Sequence, residues 1–255
     1  MLKLCIAGAT GWTGQALVRG VHEAADLELR SAVSRSAAGG EIDGAPVYAS
    51  AAEALEGVDV LIDYTSIEAV KGNTLAAIEA GVAVVIGTSG LTADDFADID
   101  GAARDRTVGV VASGNFSLTA AMASAAALLA ARHLPNWEVI DYASATKPDA
   151  PSGTSRELAE RLAEIRPPAV GVPVDATHGA REARGATVAG TQVHSVRLPS
   201  FTVSTEVVFG AAGERLSLRH DAGESAAPYV AGTLLAIRAV PGRVGLTRGL
   251  DRLLS

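Results

Sequence analysis

The sequence predicts an α/β fold in which a Rossmann-like, doubly wound parallel sheet is joined to an α+β domain with a mostly antiparallel sheet. Three observations predict it. Strand-like and helix-like apolar patterns alternate through the first part of the chain. A glycine-rich turn follows the first strand pattern, as in dinucleotide-binding βαβ units. Beyond residue 186, strand patterns follow one another with no helix pattern between them.

The N-terminal region begins with an apolar run at residues 2–7, which ends at Gly8 and predicts the first strand. A periodic apolar stretch at residues 15–21 then predicts a helix, and Thr92 is a suitable N-cap for a later one. This alternation is typical of a parallel sheet with helices on both faces. The other elements predicted here are strands at residues 27–33, 58–64, 83–87 and 107–112 and helices at residues 50–55, 67–80 and 93–106.

The pattern changes after residue 118, where we expect a domain boundary. Residues 1–118 form the first predicted domain, with residues 227–255 returning to it, and residues 119–226 form the second. The stretch at 166–185 is rich in Pro, Gly and charge and predicts a mobile loop. The elements predicted beyond the boundary are helices at residues 119–133, 155–164 and 226–240 and strands at residues 137–143, 187–198, 202–209 and 215–220.

The composition excludes several classes of function. The chain has 255 residues, 48% of them hydrophobic, which supports a packed core. A net charge of −8 argues against a nucleic-acid partner, because phosphate binding requires clustered Lys and Arg. No apolar run is long enough to span a membrane, and the N-terminal run leads into a glycine turn rather than a signal-peptide cleavage site. We therefore expect a cytoplasmic protein with no membrane partner. The single Cys5 and the histidine spacing predict no disulfide and no metal site.

The turn after the first strand has the spacing GxxGxxG rather than GxGxxG. Its glycines allow the backbone to pass close to a pyrophosphate, and the following helix N-terminus offers N–H groups to it. The alternative is an ordinary turn, which the alternating α/β context disfavours. The predicted cofactor-binding residues of the turn are Gly8, Ala9, Thr10, Gly11, Trp12 and Thr13.

The end of the second predicted strand favours NADPH over NADH. NAD-binding folds usually place Asp or Glu there to hold the ribose 2′-hydroxyl. This chain instead has Arg35 between Ser34 and Ser36, so a guanidinium and two hydroxyls are available for a 2′-phosphate. The alternative is that Arg35 is only a solvated loop residue.

A second motif, Lys147-Pro-Asp-Ala-Pro-Ser-Gly-Thr154, immediately precedes a predicted helix. Ser152, Gly153 and Thr154 combine hydroxyls with backbone N–H donors at the helix entrance, which suits a substrate carboxylate. Lys147 is one of only three lysines in the chain and lies beside this cradle. On the residues alone, a capped helix start with a surface lysine remains an alternative.

Several strings in order resemble the 4-hydroxy-tetrahydrodipicolinate reductase (dihydrodipicolinate reductase) family over nearly the whole chain. They are the glycine turn, Asp63-Tyr-Thr65, Gly87-Thr-Ser-Gly90, Asn115-Phe-Ser117 and Lys147-x-Asp-Ala-Pro-Ser-Gly-Thr154. The resemblance implies a cofactor domain at residues 1–118 with 227–255, and a substrate-binding domain at residues 119–226 that forms a homotetramer through its sheet. It also implies hydride transfer from NAD(P)H to an unsaturated cyclic substrate.

The same resemblance implies roles for individual residues. Lys147 corresponds to a catalytic proton donor, and Gly153 and Thr154 to residues that bind a substrate carboxylate. The residues that correspond to the border of the nicotinamide are Gly87, Thr88, Ser89, Ser113, Asn115 and Phe116.

The chain departs from the family pattern just before Lys147. The family has Glu-x-His-His-x-x-Lys, with catalytic and carboxylate-binding histidines, whereas this chain has Asp141-Tyr-Ala-Ser-Ala-Thr-Lys147. Ala143 cannot transfer a proton, and Ser144 offers a substrate only a neutral hydrogen bond. Losing a paired charge contact costs about 1.5 to 3 kcal/mol, so we expect a changed substrate.

Three functions follow. The first is an NADPH-dependent reductase that transfers hydride to a C=N, C=C or C=O bond of a small carboxylate-bearing substrate, with a cyclic imine as the leading class and Lys147 as proton donor. The second is an authentic 4-hydroxy-tetrahydrodipicolinate reductase of lysine biosynthesis. The third is a catalytically silent NADP(H)-binding sensor.

Overall fold

The computed structural model describes residues 1–254, and the chain divides into two compact units. Unit 1 comprises Met1–Leu118 and the C-terminal segment from Ala226 onward, and unit 2 comprises Thr119–Ser225. The helices are α1 (Trp12–His22), α2 (Ala51–Ala54), α3 (Ile67–Glu79), α4 (Ala93–Asp105), α5 (Leu118–Ala131), α6 (Gly153–Ile165) and α7 (Ala227–Ala239). The strands are β1 (Leu2–Ala7), β2 (Leu27–Val33), β3 (Glu41–Ile42), β4 (Ala45–Tyr48), β5 (Val60–Asp63), β6 (Ala83–Ile86), β7 (Gly109–Ala112), β8 (Asn136–Ala143), β9 (Ala186–Val188), β10 (Thr191–Arg197), β11 (Val203–Ala211), β12 (Glu214–Asp221) and β13 (Gly245–Arg248).

Unit 1 contains an eight-stranded sheet in the order β13-β7-β6-β5-β1-β2-β4-β3. All neighbouring strands are parallel except β3 and β4. The chain proceeds outward from β1 towards β2 on one side and from β5 towards β7 on the other, so the strand order reverses between β1 and β5. In such sheets, ligands bind beyond the carboxyl ends of the strands at this reversal.

Helices cover both faces of this sheet, because its strands are apolar on both sides. On one face, Cys5, Leu61 and Val84 belong to a buried cluster that includes Val70 and Ile78 of α3. Alternate residues such as Leu4 point the other way, where α1 and α7 pack on the strands. This is the doubly wound arrangement that the alternating pattern predicts.

Unit 2 contains a five-stranded sheet in the order β12-β11-β8-β10-β9. Only β8 and β10 are parallel, and the other neighbours are antiparallel. Helices α5 and α6 cover one face, on which Trp137 and Phe209 lie with ring centroids 5.9 Å apart. The Trp137 indole N–H donates to Thr191 Oγ1 at 3.0 Å, so the buried ring keeps its polar atom satisfied.

The predicted fold class is confirmed, and the differences lie in short strands. The structure adds β3, β4 and β13 to the predicted sheet. The single strand predicted at 187–198 is two strands, because Ala189 and Gly190 both have positive φ and form a tight hairpin. Within the loop predicted at 166–185, Val174–Ala176 and Arg181–Arg184 form short 3₁₀ turns. Over residues 1–254, no helix combines the length and apolarity needed to cross a membrane.

Candidate functional site

The glycine turn at the end of β1 is built so that only glycine fits two of its positions. Gly8 has φ +84°, and a Cβ there would lie 2.2 Å from the carbonyl oxygen of Tyr64. A Cβ on Gly14 would lie 2.0 Å from the carbonyl oxygen of Gly8. The turn is therefore packed tightly against the end of β5 and against the first turn of α1.

Helix α1 begins at this turn with its N-terminus suited to an anion. Gly11 is the N-cap residue, and a glycine has no side chain that could occupy the first N–H groups of the helix. The first turn of α1 contains no acidic residue. Trp12 is 54% exposed, and its ring contacts Tyr229 edge-on at 5.9 Å. Free N–H groups and the positive end of the helix dipole are what a pyrophosphate requires.

The end of β2 lies beside the glycine turn. The hydroxyls of Thr10 and Ser34 are 2.9 Å apart, and the Ser34 hydroxyl is 3.3 Å from that of Ser36. Ser34 is buried, whereas Arg35 and Ser36 are exposed. The structure thus brings Arg35 next to the turn, at the place where the ribose of a dinucleotide is held in this fold.

The buried carboxylate of Asp63 holds two neighbouring loops together at the ends of β5 and β6. Its Oδ1 accepts from the Thr65 amide at 3.0 Å and from the Thr65 and Thr88 hydroxyls, both at 2.7 Å. Its Oδ2 accepts from Asn73 at 2.8 Å. The Thr88 hydroxyl also accepts from the Thr65 amide at 2.8 Å. The Thr88 side chain thus binds protein groups, and the predicted cofactor contact of this partly buried residue stays a prediction for its backbone.

Gly87 and Ser89 flank Thr88 and remain candidates. A Cβ on Gly87 would lie 2.2 Å from the ring of Tyr64, so this glycine lets the loop pass over that ring. Ser89 is exposed.

The loop after β7 is held by its own polar side chains. Ser113 Oγ donates to the Asn115 carbonyl at 3.0 Å, and Asn115 Oδ1 accepts from the Ser117 amide at 2.8 Å. The Phe116 side chain is 1% exposed and packs edge-on against Tyr64, so its predicted cofactor contact stays a prediction for the backbone. Its ring belongs to the core, and only its backbone remains at the loop.

In unit 2, Lys147 lies in the loop between β8 and α6. Its ammonium is 2.7 Å from Asp149 Oδ1, and its amide donates to the Ser144 carbonyl at 3.0 Å. The Lys147 side chain is 29% exposed, so part of it is reachable from solvent.

Ser152 ends this loop and caps α6. Its hydroxyl accepts from the Ser155 amide at 3.4 Å and donates to Asp141 Oδ1 at 2.5 Å. Ser152 is 2% exposed and its hydroxyl points into the protein, whereas its predicted contact with a substrate stays a prediction. Gly153 and Thr154 form the first turn of α6 and remain candidates for binding a carboxylate.

Asp141 is fully buried on β8, and sequence reasoning missed its importance. Burial works to raise the pKa of Asp141, but the hydrogen bond from Ser152 and the guanidinium of Arg197 outweigh it and hold the pKa below its ordinary value. Arg197 Nη2 is 2.8 Å from Asp141 Oδ2. The sequence did contain an indication: every second residue of β8 faces the core, and Asp141 is at one of these inward positions.

The positions of the two missing histidines are occupied by small side chains. Ala143 is fully buried at the end of β8. Ser144 is half-buried, and its hydroxyl lies 3.0 Å from that of Thr146 and accepts from the Thr146 amide at 3.3 Å. Ser144 remains a predicted substrate contact, with its hydroxyl already engaged locally.

The sequence profile of the dihydrodipicolinate reductase N-terminus matches residues 2–116, and that of the dihydrodipicolinate reductase C-terminus matches residues 114–254. The chain belongs to the dihydrodipicolinate reductase family. As a member of this family it is a pyridine-nucleotide-dependent oxidoreductase with Rossmann-type nucleotide binding. Over the described residues, no cluster of three or more His, Cys, Asp or Glu side chains could hold a metal ion.

Relatives of the dihydrodipicolinate reductase family align over the full chain. The 4-hydroxy-tetrahydrodipicolinate reductase of Streptococcus gordonii is 36% identical over 255 residues, which cover 99% of each chain. The enzyme of the same name from Halalkalibacterium halodurans is 34% identical over 264 residues and covers all of both chains. A dipicolinate-bound dihydrodipicolinate reductase from Paenisporosarcina sp. TG-14 has 28% identity and a TM-score of 0.78 and covers 99% of each chain. An amine dehydrogenase from Mycobacterium smegmatis, at 14% identity and a TM-score of 0.63, shares the fold alone.

Proposed function

We propose that this protein is a reductase of 4-hydroxy-tetrahydrodipicolinate, a cyclic imine with two carboxylates, in lysine biosynthesis. Full-length relatives of that name support the proposal. The observation that supports it most directly is the Lys147–Thr154 segment, in which a partly exposed, ion-paired lysine precedes the capped start of α6. Such a segment supplies both a proton donor and N–H groups for a carboxylate.

We propose NADPH as the cofactor, with NADH as the weaker alternative. The glycine turn and the N-terminus of α1 suit the pyrophosphate, and the exposed Arg35 suits a 2′-phosphate. When bound, a reduced nicotinamide supplies a hydride. The residues proposed to border it are Gly87, Ser89, Ser113 and Asn115, together with the backbone at Thr88 and Phe116.

Lys147 is proposed as the proton donor. Once the carbon of a C=N bond accepts a hydride, the nitrogen takes up a proton, and an ammonium is a suitable donor. The Lys147 ammonium pairs with the carboxylate of Asp149, and the Lys147 side chain is partly exposed. Gly153 and Thr154 would hold one substrate carboxylate at the first turn of α6.

A second candidate substrate is a cyclic imine that carries a single carboxylate. It is favoured by the site around Ala143 and Ser144, where the family pattern has two histidines and this chain has a buried methyl group and a locally engaged hydroxyl. Without the two histidines this wall offers fewer charged contacts to a second carboxylate, so a smaller anion would fit this site better.

The test is a substrate panel. The purified protein is mixed with NADPH or NADH and then with 4-hydroxy-tetrahydrodipicolinate or with cyclic imines that carry one carboxylate. We expect loss of the reduced-nicotinamide absorbance with the dicarboxylate. Faster turnover of a monocarboxylate imine would favour the second candidate. Tight NADPH binding with no turnover of any substrate would contradict both and indicate a silent sensor.

We further propose that residues 1–118 with 227–255 form the cofactor domain, and that residues 119–226 form the substrate and oligomerisation domain. The sheet face of unit 2 that α5 and α6 leave uncovered has a cavity of about 550 Å³, lined in part by Ile140, Val208 and His194. We propose that this face joins subunits into a homotetramer. Sedimentation of the purified protein is expected to give a tetramer, and a monomer would contradict the proposal.

A further inference from the structure

The carboxylate of Asp141 on β8 binds the far end of the loop that contains Lys147. The chain leaves β8 beyond Ala143 and returns at Ser152, whose amide donates to Asp141 Oδ2 at 2.9 Å. The hydroxyls of Ser152, Ser155 and Ser195 donate to the same carboxylate at 2.5, 3.0 and 3.1 Å. A fully buried carboxylate with these donors is held rigidly, and it fixes the end of the loop at Ser152.

Arg197 connects this fixed point to the middle of the loop. It ends β10, beside Ala143 in the parallel β8–β10 pair. Its Nη2 donates both to Asp141 Oδ2 at 2.8 Å and to the backbone carbonyl of Asp149 at 2.6 Å. Its Nη1 donates to the Val196 carbonyl at 3.0 Å. The guanidinium therefore fixes the position of the Asp149 backbone relative to the sheet.

Asp149 in turn holds the ammonium of Lys147 at 2.7 Å. A continuous set of contacts thus runs from the sheet through Asp141, Arg197 and the Asp149 backbone to the Asp149 side chain. We propose that Arg197 and Asp149 are positioning residues that set where the Lys147 ammonium stands. The effect of this positioning on catalysis rests on the proposed function, in which Lys147 donates the proton. The positioning itself is a property of the loop.

The contacts of Asp149 and Arg197 explain how the flexible Lys147 side chain can keep its ammonium at one position. Lysine has four rotatable bonds, and an unrestrained ammonium samples many positions. Asp149 restricts it only if the Asp149 backbone is itself fixed, and Arg197 supplies that restraint. Proton donation depends strongly on such placement, since the donor must lie within hydrogen-bond reach of the accepting atom.

Amine acylation followed by mass spectrometry measures the restraint without any substrate. The three lysines Lys3, Lys71 and Lys147 are resolved individually in one digest of the full-length protein. Lys71 is a matched internal reference, because Asp95 and Asp98 hold its ammonium at 2.8 and 2.7 Å independently of this loop. The variants are Arg197→Ala, Arg197→Lys and Asp149→Asn, with Arg238→Ala as the control for losing a surface arginine–aspartate pair.

We expect Lys147 to be acylated roughly tenfold faster in Asp149→Asn and several-fold faster in Arg197→Ala, with Lys71 unchanged, because a charge-assisted contact is lost. Arg197→Lys should give an intermediate rate, since one ammonium replaces the planar fork. Asp149 is 46% exposed, so Asp149→Asn tests the proposal even where Arg197→Ala does not fold. Unchanged Lys147 labelling in Asp149→Asn, or in a folded Arg197→Lys, would overturn the positioning role.

Steady-state kinetics separate this inference from the proposed function. In an active enzyme, Arg197→Lys should lower kcat about tenfold, while NADPH affinity stays at the wild-type value, as it should in Arg238→Ala. If no substrate is turned over but Lys147 labelling responds as expected, the proposed function fails and the positioning stands. If the wild-type protein is active and labelling does not respond, the positioning fails alone.

Discussion

At the scale of single residues, the proposed reaction depends on Lys147. We expect Lys147→Ala to lower kcat by about 10² to 10⁴, the usual contribution of a general acid, with little change in NADPH affinity. The reason is that the ammonium lies in unit 2, whereas the glycine turn and Arg35 lie in unit 1. Steady-state turnover of 4-hydroxy-tetrahydrodipicolinate and a separate NADPH titration measure the two quantities.

The matched control is Lys71→Ala, which removes another ion-paired lysine, on α3. Its turnover should equal that of the wild-type protein. Lys147→Arg keeps a positive charge but holds its protons too tightly to donate them readily, so it should also be slow. Wild-type turnover in Lys147→Ala would remove Lys147 from the chemistry.

Arg35 decides the proposed preference for NADPH. Removing a charge-assisted hydrogen bond costs about 1.5 to 3 kcal/mol, so Arg35→Ala should weaken NADPH binding roughly tenfold to a hundredfold. NADH has no 2′-phosphate and should bind nearly as it does to the wild-type protein. Arg30→Ala, on the strand β2 that leads to Arg35, is the control. Equal losses for both dinucleotides would mean that Arg35 does not read the phosphate.

Residue types and spacing predicted where the candidate residues lie, but not which way their side chains point. Thr88 and Ser152 occur in the right strings, yet their hydroxyls bind Asp63 and Asp141 inside the protein. Phe116 is likewise in the right loop, but its ring is in the core. Side-chain direction at a turn depends on long-range partners, which a local string does not contain.

At the scale of elements, long periodic segments were predictable and short strands were not. Helices α3 and α4 begin where their patterns begin, and Thr92 forms a full capping box with Asp95. Strand β13 has a single strongly apolar residue and exists because it pairs with β7, far away in the sequence. Strand β3 is two residues long and pairs only with β4. Neither strand has a local pattern that could be recognised.

The start of α6 should be unusually sensitive to the loss of one hydroxyl. Ser152→Ala removes the N-cap acceptor, worth about 1 kcal/mol, and one donor to the buried Asp141, worth about 1.5 kcal/mol or more. We expect the free energy of unfolding to fall by about 2 to 3 kcal/mol, measured by urea titration.

Thr92→Ala is the control for this prediction. It removes the N-cap of α4, where the residue caps an exposed helix start without supporting a buried charge. It should cost about 1 kcal/mol. If the free energy of unfolding falls equally in the two variants, the hydrogen bond from Ser152 to Asp141 contributes no stability beyond that of the N-cap.

At the scale of the whole molecule, a net charge of −8 coexists with carboxylates that are stabilised in their charged form. Hydrogen bonds from Arg238 lower the pKa of Asp26 to about 2, and those from Arg219 lower the pKa of Asp221. The pKa of Asp141 is also lowered. Each of these groups releases its proton more readily in the folded chain than in the unfolded chain. Their stabilising effect is therefore present above the unfolded pKa of about 4 and is lost as the pH falls below it.

Asp141 should dominate this acid sensitivity because it is the fully buried member of the set. Removing one partner of a buried ion pair costs about 3 to 5 kcal/mol, so Asp141→Asn should be less stable than the wild-type protein at neutral pH by that order. As the pH falls through the lowered pKa of Asp141 in the folded chain, the wild-type carboxyl also becomes protonated, and the two stability curves should converge. Asp26→Asn, at an exposed pair with Arg238, should change stability little, and added salt should remove its effect. Urea titrations across the acid range measure all three proteins, and parallel curves for Asp141→Asn and the wild-type protein would show that Asp141 does not titrate between the folded and unfolded states.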